Sequence, residues 1–374
     1  MREFSPELVD QILDAVSQLD GDPFQIASCG LVCCQWLPRS RFHVFRCLRL
    51  NGSRLDSLLT LVETSSSPLL VLVHVLHLDF TLHPPFWLEY LTTLSSACVN
   101  LTSIRCTINY PIAKSVSRDF FLETCLPLLG SQCPSLTHVE FEASYDHPVP
   151  LRMITHILTS LPALEVLVLL SDSNTIIPMG TLFNSFPAGL RDLKLQHARG
   201  ICHLFKWLVS LPVLPTLKSL QWLPGPYAAD DWASLHAYSQ RAGAGLETLS
   251  VCSRIRWDSV TDLEPPAILG HATKLRVLRL WAECNYRVLP LLSSLTSHNL
   301  RSIRISLRFR GQPIPYAEID QLLARPQFQR LEAFRLEEEN TGVSVLDQPG
   351  IAAETLMPLA YARGILAFHS EAHE

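Results

Sequence analysis

The sequence lacks the short motifs by which many enzymes and metal-binding proteins can be identified. It has no Gly-rich phosphate loop and no G-x-S-x-G or H-E-x-x-H pattern, and none of its 11 cysteines forms a C-x-x-C pair. These absences favour a protein that is not an enzyme and holds no metal or other cofactor. The scattered cysteines favour free, mostly buried thiols in a reducing compartment.

Long apolar runs and an excess of positive charge are also missing. The longest apolar stretch, residues 69–78, contains two histidines and is too short to span a membrane. The first ten residues, MREFSPELVD, include charges and a proline, so we expect no signal peptide. The net charge of −5 gives no general attraction for nucleic acid or anionic membranes. We therefore expect a protein of the cytoplasm, the nucleus or both, with neither a nucleic acid nor a membrane as its partner.

A leucine-rich spacing repeats through most of the chain. Each unit has an apolar residue, two variable residues, a second apolar residue, one variable residue and a third apolar residue, as in Leu275-Leu278-Leu280. The first residues of neighbouring units lie 25 to 35 residues apart, a spacing typical of repeat proteins. Each unit is predicted to form a short strand. The ten units begin at Val73, Leu101, Leu136, Leu164, Leu190, Leu217, Leu246, Leu275, Leu300 and Leu331.

Helices are predicted between these strands. Asp230 or Asp231 is expected to cap one of them, and Gly243 is expected to end it. One strand and one helix per unit predict an α/β protein with stacked parallel strands inside and helices outside. The pattern resembles the leucine-rich repeats, and the resemblance covers roughly residues 70–340. The predicted helices span residues 86–97, 119–130, 201–211, 230–243 and 316–324.

The residues before the repeats have a different, helical pattern. Ser5 is a predicted N-cap, and Pro6 suits the first position of a helix. Further helices are predicted at 25–36 and 41–48. Three short helices enclose too small a core to be stable alone, so this module is expected to dock onto a neighbour or a partner.

This module resembles the F-box in FSPELVDQILDAV and LVCCQWLPRSRFHVF. Pro6-Glu7-Leu8, Ile12-Leu13, Leu31-Val32-Cys33 and Trp36 match the four parts of the family pattern, and the continuation is similar to F-box proteins of mushroom-forming fungi. The resemblance implies binding to a Skp-type adaptor and, through it, to a cullin. It places the adaptor contacts at Pro6, Leu8, Ile12, Leu13, Val32 and Trp36.

Together these features predict an F-box domain at 1–48, a leucine-rich-repeat-like solenoid of about ten units at 49–347 and a C-terminal capping segment at 348–374. The first hypothesis for function is a substrate-recognition adaptor of a cullin-based (SCF-type) ubiquitin ligase, whose repeats bind an unidentified protein target. The alternative is a repeat scaffold in which the F-box-like residues only cap the first repeat. An enzyme is the third hypothesis.

A stacked sheet also brings the variable strand residues of neighbouring units into rows. Arginines occupy the middle position in three successive units, and such a row of like charges is unfavourable without acids or a bound anion. The row therefore predicts either local pairing with acids such as Glu337 or a pocket for an acidic or phosphorylated target segment. The candidate target-binding residues are Arg279, Trp281, Arg304, Arg308, Arg335 and, as part of an apolar patch, Val168.

Two sites in the N-terminal module point to chemistry less strongly. Cys29, Cys33 and His43 contain metal-ligating groups, but a fourth ligand is missing and both cysteines fit an apolar helical stripe, so core packing is favoured. The basic residues between Arg39 and Arg49 are interpreted as a solvated face, because no stacking aromatics accompany them.

Overall fold

The computed structural model shows a chain that divides into two compact units. The first unit comprises Met1–Ser144 and His156–Leu164, and the second comprises Tyr145–Thr155 and Glu165–Glu374. The structure describes residues 5–18, 23–51, 58, 60, 68–79, 94, 96–108, 126–143, 151–171, 186–196, 201–214, 216–223, 229–253, 269–282, 288–307, 315–338 and 353–366.

Short parallel strands follow one another in chain order through the described residues. In the first unit the successive strands from β1 to β4 pair with one another, and in the second unit the successive strands from β5 to β11 do the same. The predicted fold class, an α/β leucine-rich-repeat-like solenoid, is thereby confirmed. The strands are β1 (Cys47–Leu50), β2 (Val75–Asp79), β3 (Ser103–Ile108), β4 (His138–Ala143), β5 (Val166–Ser171), β6 (Asp192–Gln196), β7 (Ser219–Leu223), β8 (Thr248–Ser253), β9 (Val277–Ala282), β10 (Ser302–Leu307) and β11 (Ala333–Glu338).

The core is built from the repeated motif. All three apolar residues of every predicted unit are buried, as for Leu275, Leu278 and Leu280 around β9. Because alternate residues of a strand point to opposite faces, burying residues 278 and 280 turns Arg279 outward. The largest core side chain, Trp222 on β7, occupies the third apolar position of its unit. Leucine spacing therefore determines both the core and the outward-facing row.

The repeat prediction did not include an eleventh strand, β1. Phe45, Leu48 and Leu50 have the spacing of the other motifs, and Leu50 is buried. The interpretation of 41–48 as a helix is wrong at its end, because the chain becomes extended at Cys47 and pairs with β2. The backbone N–H of His74 also donates to the Arg46 carbonyl at 2.9 Å. The N-terminal helices are thus joined directly to the first strand.

Main-chain hydrogen bonds also link successive turns just before the strands. The N–H groups of Arg191 and Asp192 both donate to the Glu165 carbonyl, at 2.9 and 3.0 Å. Lys218 and Ser219 donate in the same way to the Arg191 carbonyl. A carbonyl that accepts two hydrogen bonds recurs between each pair of successive strands in the second unit, ending with the Arg301 carbonyl, which accepts from Glu332 and Ala333. The strand register is therefore fixed by the turns as well as by the hydrogen bonds between strands.

Charged side chains of both signs occupy this same turn position. Glu165 binds Arg191, and Glu247 lies 3.9 Å from Lys218 and 3.6 Å from Arg276. These pairs are solvent-exposed, so each contributes only about 0.2–1 kcal/mol. They favour the observed register and solubility more than they add to the free energy of unfolding.

Helices connect the strands, and three of the predicted ones agree with the structure: α6, α7 and α9. The helices are α1 (Pro6–Gln18), α2 (Pro23–Cys29), α3 (Leu37–Arg46), α4 (Leu126–Gln132), α5 (Leu151–Ser160), α6 (Ile201–Ser210), α7 (Ala229–Ala242), α8 (Val288–Ser293), α9 (Tyr316–Leu323), α10 (Ala353–Leu356) and α11 (Pro358–Ala362). Short 3-10 helices occupy Pro68–Leu72, Gly243–Gly245 and Pro326–Phe328.

The predicted helix ends were less accurate. Neither Asp230 nor Asp231 is a cap, because α7 begins at Ala229 and places both in its first turn. Gly243 ends this helix as predicted. Of the predicted helix at 119–130, only residues from 126 onward are described, and most of the predicted helix at 86–97 lies outside the described residues.

The N-terminal module contains three helices, as predicted, but two have different bounds. Ser5 caps α1, since its Oγ accepts a hydrogen bond from the Leu8 N–H at 3.3 Å. Helix α2 ends at Cys29 instead of Trp36, and α3 begins at Leu37 instead of Arg41. Gly30 separates them in a tight packing position, because a Cβ there would lie 2.9 Å from the Ser40 Oγ.

The C-terminal residues close the end of the second unit. Asp320, buried on α9, accepts hydrogen bonds from the backbone N–H groups of Leu359 and Ala360 at 2.9 and 2.8 Å. Arg363 donates to the carbonyls of Leu323 and Phe328, both at 2.7 Å. Leu366 forms a parallel bridge with Phe334 on β11. The last strand therefore does not end in an open edge, which a repeat stack needs to avoid.

We predict that Asp320→Ala destabilises the protein by about 1–3 kcal/mol, because the buried N–H of Ala360 and the part-buried N–H of Leu359 lose their acceptor. Urea denaturation followed by circular dichroism measures this loss. Glu318→Ala on the same helix is the control, since Glu318 is exposed. Equal stability of the two variants would contradict the role assigned to Asp320.

Candidate interaction surfaces

A carboxylate on α1 holds the N-terminal module together. Asp14 accepts hydrogen bonds from Arg39 Nε at 2.8 Å and Arg39 Nη2 at 2.6 Å, and His43 Nε2 lies 2.7 Å from the same carboxylate. The hydrogen bond from Arg39 lowers the pKa of Asp14. Arg39 also lies over the Phe42 ring, 4.7 Å from its centroid. Arg39 and His43 are thus partners of α1, which corrects their interpretation as a solvated face.

Several apolar side chains of this module remain in solvent. Leu31 is 85% exposed and Val32 is 65% exposed, both in the turns between α2 and α3. Leu8 on α1 is exposed as well. A module of this size leaving three large aliphatic side chains in water is typical of a protein-binding surface.

The predicted adaptor contacts divide into exposed and buried residues. Pro6 and Val32 are exposed, while Ile12 and Trp36 are half-buried. Leu13 is fully buried, because it lies four residues after the buried Val9 on the inward face of α1. Leu13 therefore packs in the helical core and offers no contact surface to a partner. Leu31, which the predicted contact set omits although it is part of the family pattern, is the most exposed apolar residue described.

The outward-facing strand residues form the predicted rows. The strand register places Arg279, Arg304 and Arg335 beside one another on β9, β10 and β11. We call the central line of outward residues the middle row. It contains Arg49, His77, Arg105 and Glu140 in the first unit, and Val168, Lys194, Gln221, Ser250, Arg279, Arg304 and Arg335 in the second.

Three arginines and one acid form what we call the arginine cluster: Arg279, Arg304, Arg335 and Glu337. Glu337 is only 2% exposed, and its carboxylate binds Arg304 Nε at 2.7 Å and also binds Arg335. The Arg335 side chain is 14% exposed and that of Arg304 is 43% exposed. Arg279 is exposed, and the described residues place no carboxylate within ion-pair distance of it. Local pairing, one of the two predicted alternatives, is thus observed for two of the three arginines.

The other candidate target-binding residues have different positions. Trp281 is half-buried on β9, two residues after Arg279 and therefore on the same face of the sheet. Val168 on β5, paired in register with Lys194 on β6, is buried and so presents little surface to a target. Arg308 lies outside the described residues.

The middle row of the first unit has a different charge balance. Arg105 lies 3.4 Å from Glu140 and 2.9 Å from Glu142, so two carboxylates surround one guanidinium. The hydrogen bond to Glu142 raises the pKa of Arg105. His77 lies in register between Arg49 and Arg105, and burial together with these two cations lowers its pKa. Arg105 is thus neutralised internally, unlike Arg279.

Among the residues that the structure describes, no cluster of three or more His, Cys, Asp or Glu side chains is placed to hold a metal ion. Within those same parts of the chain, no helix is both long and apolar enough to cross a membrane.

Seven cysteines whose side chains the structure describes are free, and three of these seven are buried, fewer than predicted. Cys33, Cys34 and Cys47 are exposed, whereas Cys98 and Cys133 are buried at equivalent places before β3 and β4. Burial raises the pKa of Cys98 to about 12, so its thiolate is not formed at neutral pH. Cys98 therefore packs as a small apolar residue.

Comparisons with known proteins give structural likeness only. No protein-family model matches the chain, and no curated protein sequence does. The leucine-rich repeat-containing protein LegL7 from Legionella pneumophila is similar at 14% identity, covering 77% of this chain and 98% of LegL7, with a TM-score of 0.42. A Bacteroides fragilis protein is similar at 13% identity, covering 67% of this chain and 70% of its own, with a TM-score of 0.39.

We predict that Asp14→Asn removes an acid-sensitive contribution to the stability of α1. The folded-state pKa of Asp14 is lowered, so its contribution is complete above the unfolded-state pKa of about 4 and is lost as the pH falls through the lower folded-state value. Hydrogen–deuterium exchange of residues 6–18 at about pH 6 and about pH 3 measures this dependence. The wild-type helix should lose more protection on acidification than the variant.

The matched control is Asp10→Asn. Asp10 lies on the same helix, 4.0 Å from Arg39, and is more exposed than Asp14. Its replacement should leave the acid response close to that of the wild type. An Asp14→Asn variant with an unchanged acid response would contradict the assignment of this carboxylate as the link between α1 and α3.

Proposed function

We propose that this chain is the substrate-recognition adaptor of a cullin-based (SCF-type) ubiquitin ligase. The N-terminal module would bind a Skp-type adaptor, and the repeats would bind a protein target. The observation that carries the proposal is the exposure of Leu8 and Val32, two of the predicted adaptor contacts, together with that of Leu31, a further residue of the F-box pattern. The similarity to fungal F-box proteins belongs to this proposal and rests on sequence.

The repeats support the second half of the proposal. Stacked strands give a continuous line of outward side chains whose identities vary from unit to unit, which suits recognition of another protein. In this role the chain makes and breaks no bond and needs no cofactor. It would raise the concentration of the target near the ligase, which is a contribution of proximity. Such a role fits a reducing compartment, the cytoplasm or nucleus.

One observation favours the alternative of a repeat scaffold with an F-box-like cap. Helix α3 leads directly into β1, and it contacts the 3-10 helix Pro68–Leu72 that precedes β2. Phe42 of α3 also packs edge-to-face on His74, with ring centroids 5.9 Å apart. The module thus covers the start of the sheet, whether or not it recruits a ligase.

A binding measurement with a purified Skp-type adaptor separates the two functions. We predict that the wild-type chain binds this adaptor, and that Leu31→Ala with Val32→Ala weakens binding at least about tenfold, because buried aliphatic anchors dominate such interfaces. Biolayer interferometry on the intact chain measures the affinity. Val99→Ala is the control, since Val99 is also exposed in the first unit.

The outcomes of this measurement favour one function or the other. Binding that depends on residues 31 and 32 but not on Val99 supports the ligase adaptor. A wild-type chain that does not bind the adaptor, while its circular dichroism shows a folded protein, would support the scaffold. Binding unaffected by either substitution would contradict the assignment of the contact surface.

A further inference from the structure

We propose that Arg279 and Arg304 form a guanidinium clamp for an oxyanion on an extended acidic segment of the target. The oxyanion is a carboxylate or a phosphate, since both present the paired oxygens that arginine binds bidentately. This inference rests on the proposed function in one respect, namely that the middle row contacts a protein target. It goes further in naming the chemistry recognised and the residues that recognise it.

Strand pairing brings the two guanidiniums to adjacent positions. Arg279 and Arg304 are Cα partners in the register of β9 and β10, so their backbones lie about 4.8 Å apart. Both side chains reach solvent from the same face of the sheet. Two guanidiniums carried by backbones at this spacing can donate to the same anionic group or to neighbouring groups on an extended peptide.

The arginine cluster carries more positive charge than it neutralises. The cluster contains three guanidiniums and one carboxylate, that of Glu337, so its net charge is +2, and only Arg304 and Arg335 bind that carboxylate. The Glu337 carboxylate forms ion pairs with Arg304 Nε and with Arg335, so it orients these two side chains. Arg279 has no carboxylate partner in the described part of the chain. Its guanidinium is repelled by the like charge of Arg304 beside it, and an anion would offset this repulsion. A bound anion supplies that offset.

Paired arginines elsewhere in the described residues differ from the arginine cluster in their charge balance. The middle row of the first unit contains Arg105 between Glu140 and Glu142, where no positive charge remains for a ligand. The exposed arginines of the turns, such as Arg301, pair with turn glutamates. Neither Arg105 nor Arg301 shares a buried carboxylate with a second arginine, as Arg304 does.

A peptide fits this site better than a nucleic acid. The whole chain has a net charge of −5, which disfavours the extended basic surface that a phosphate backbone requires. A short segment with one or two anions matches a cluster of net charge +2. Trp281 lies two residues beyond Arg279 on the same face and offers an apolar contact beside the charge.

Fluorescence anisotropy with labelled peptides tests the clamp on the intact chain. The probes are a Gly/Ser peptide with a central run of glutamates, the same peptide with phosphoserines, and the same peptide with unmodified serines. We expect at least one anionic probe to bind about tenfold more tightly than the neutral probe, and the two anionic probes distinguish carboxylate from phosphate. Binding of neither anionic probe above the neutral one would overturn the proposal.

Substitutions separate a clamp from general attraction. Arg279→Ala should weaken binding of the favoured anionic probe at least about fivefold. The double variant Arg279→Lys with Arg304→Lys should weaken it as well although the charge is kept, because lysine cannot bind bidentately. Arg301→Ala is the matched control, an exposed arginine of the same unit outside the row. Lysine variants that bind like the wild type would overturn the clamp, as would tighter binding of a single-stranded oligonucleotide than of either peptide.

Folding and function are kept distinct in this test. Arg304 binds the buried Glu337, so each variant is checked by its thermal unfolding midpoint, and Arg279→Ala removes no ion pair among the described residues. Loss of peptide binding without loss of Skp-type adaptor binding would locate the effect in the second unit. Failure of the peptide probes with adaptor binding intact would overturn the clamp and leave the proposed function standing.

Discussion

In-register parallel pairing of short strands is the constraint on which the other features depend. Each strand places its apolar motif residues opposite those of its neighbour, as Leu278 pairs with Ile303 and Ile303 with Phe334. A slip by one residue would turn the core side chains outward and bury the charged ones, so the register is strongly specified. Backbone carbonyls that each accept two hydrogen bonds at the preceding turns, such as that of Glu247, add a second restraint on the same register.

This register separates the structural from the interacting surface of each repeat. The apolar positions of every unit are committed to the core, which leaves the middle row free to vary without loss of packing. At the end of the second unit three arginines lie side by side in the middle row. The buried Glu337 reduces the repulsion among them because it pairs with Arg304 and Arg335. Burying a carboxylate alone is costly, and here the buried carboxylate of Glu337 forms ion pairs with two guanidiniums. The N-terminal module, by contrast, presents aliphatic side chains, so the two surfaces suit partners of different chemistry.

Much of the fold follows from residue spacing, while the details of the sites depend on packing that spacing does not encode. The ten motifs predicted the strands β2 to β11 and the order of the middle row. Strand β1 was missed because the spacing of Phe42, Phe45 and Leu48 favours a helix over 41–48, although Phe45, Leu48 and Leu50 carry the motif. Leu8 and Leu13 are both apolar residues of α1, and only the packing of α1 against its neighbours decides that Leu13 is buried and Leu8 exposed. The shared use of Glu337 depends on side-chain conformation across a strand pair, which a single sequence does not specify.

The register itself is tested most directly by a distance measurement within the second unit. Spin labels attached through genetically encoded amino acids at Arg191 and Glu332, two exposed turn positions before β6 and β11, avoid the free cysteines. The two positions are separated by five successive strand pairings, which predicts a backbone separation of about 24 Å. A narrow distribution of double electron–electron resonance distances near this value, allowing for the label linkers, is the expected result. A broad distribution, or a separation beyond about 40 Å, would contradict the stacked parallel register, since no in-register arrangement of these strands reaches it.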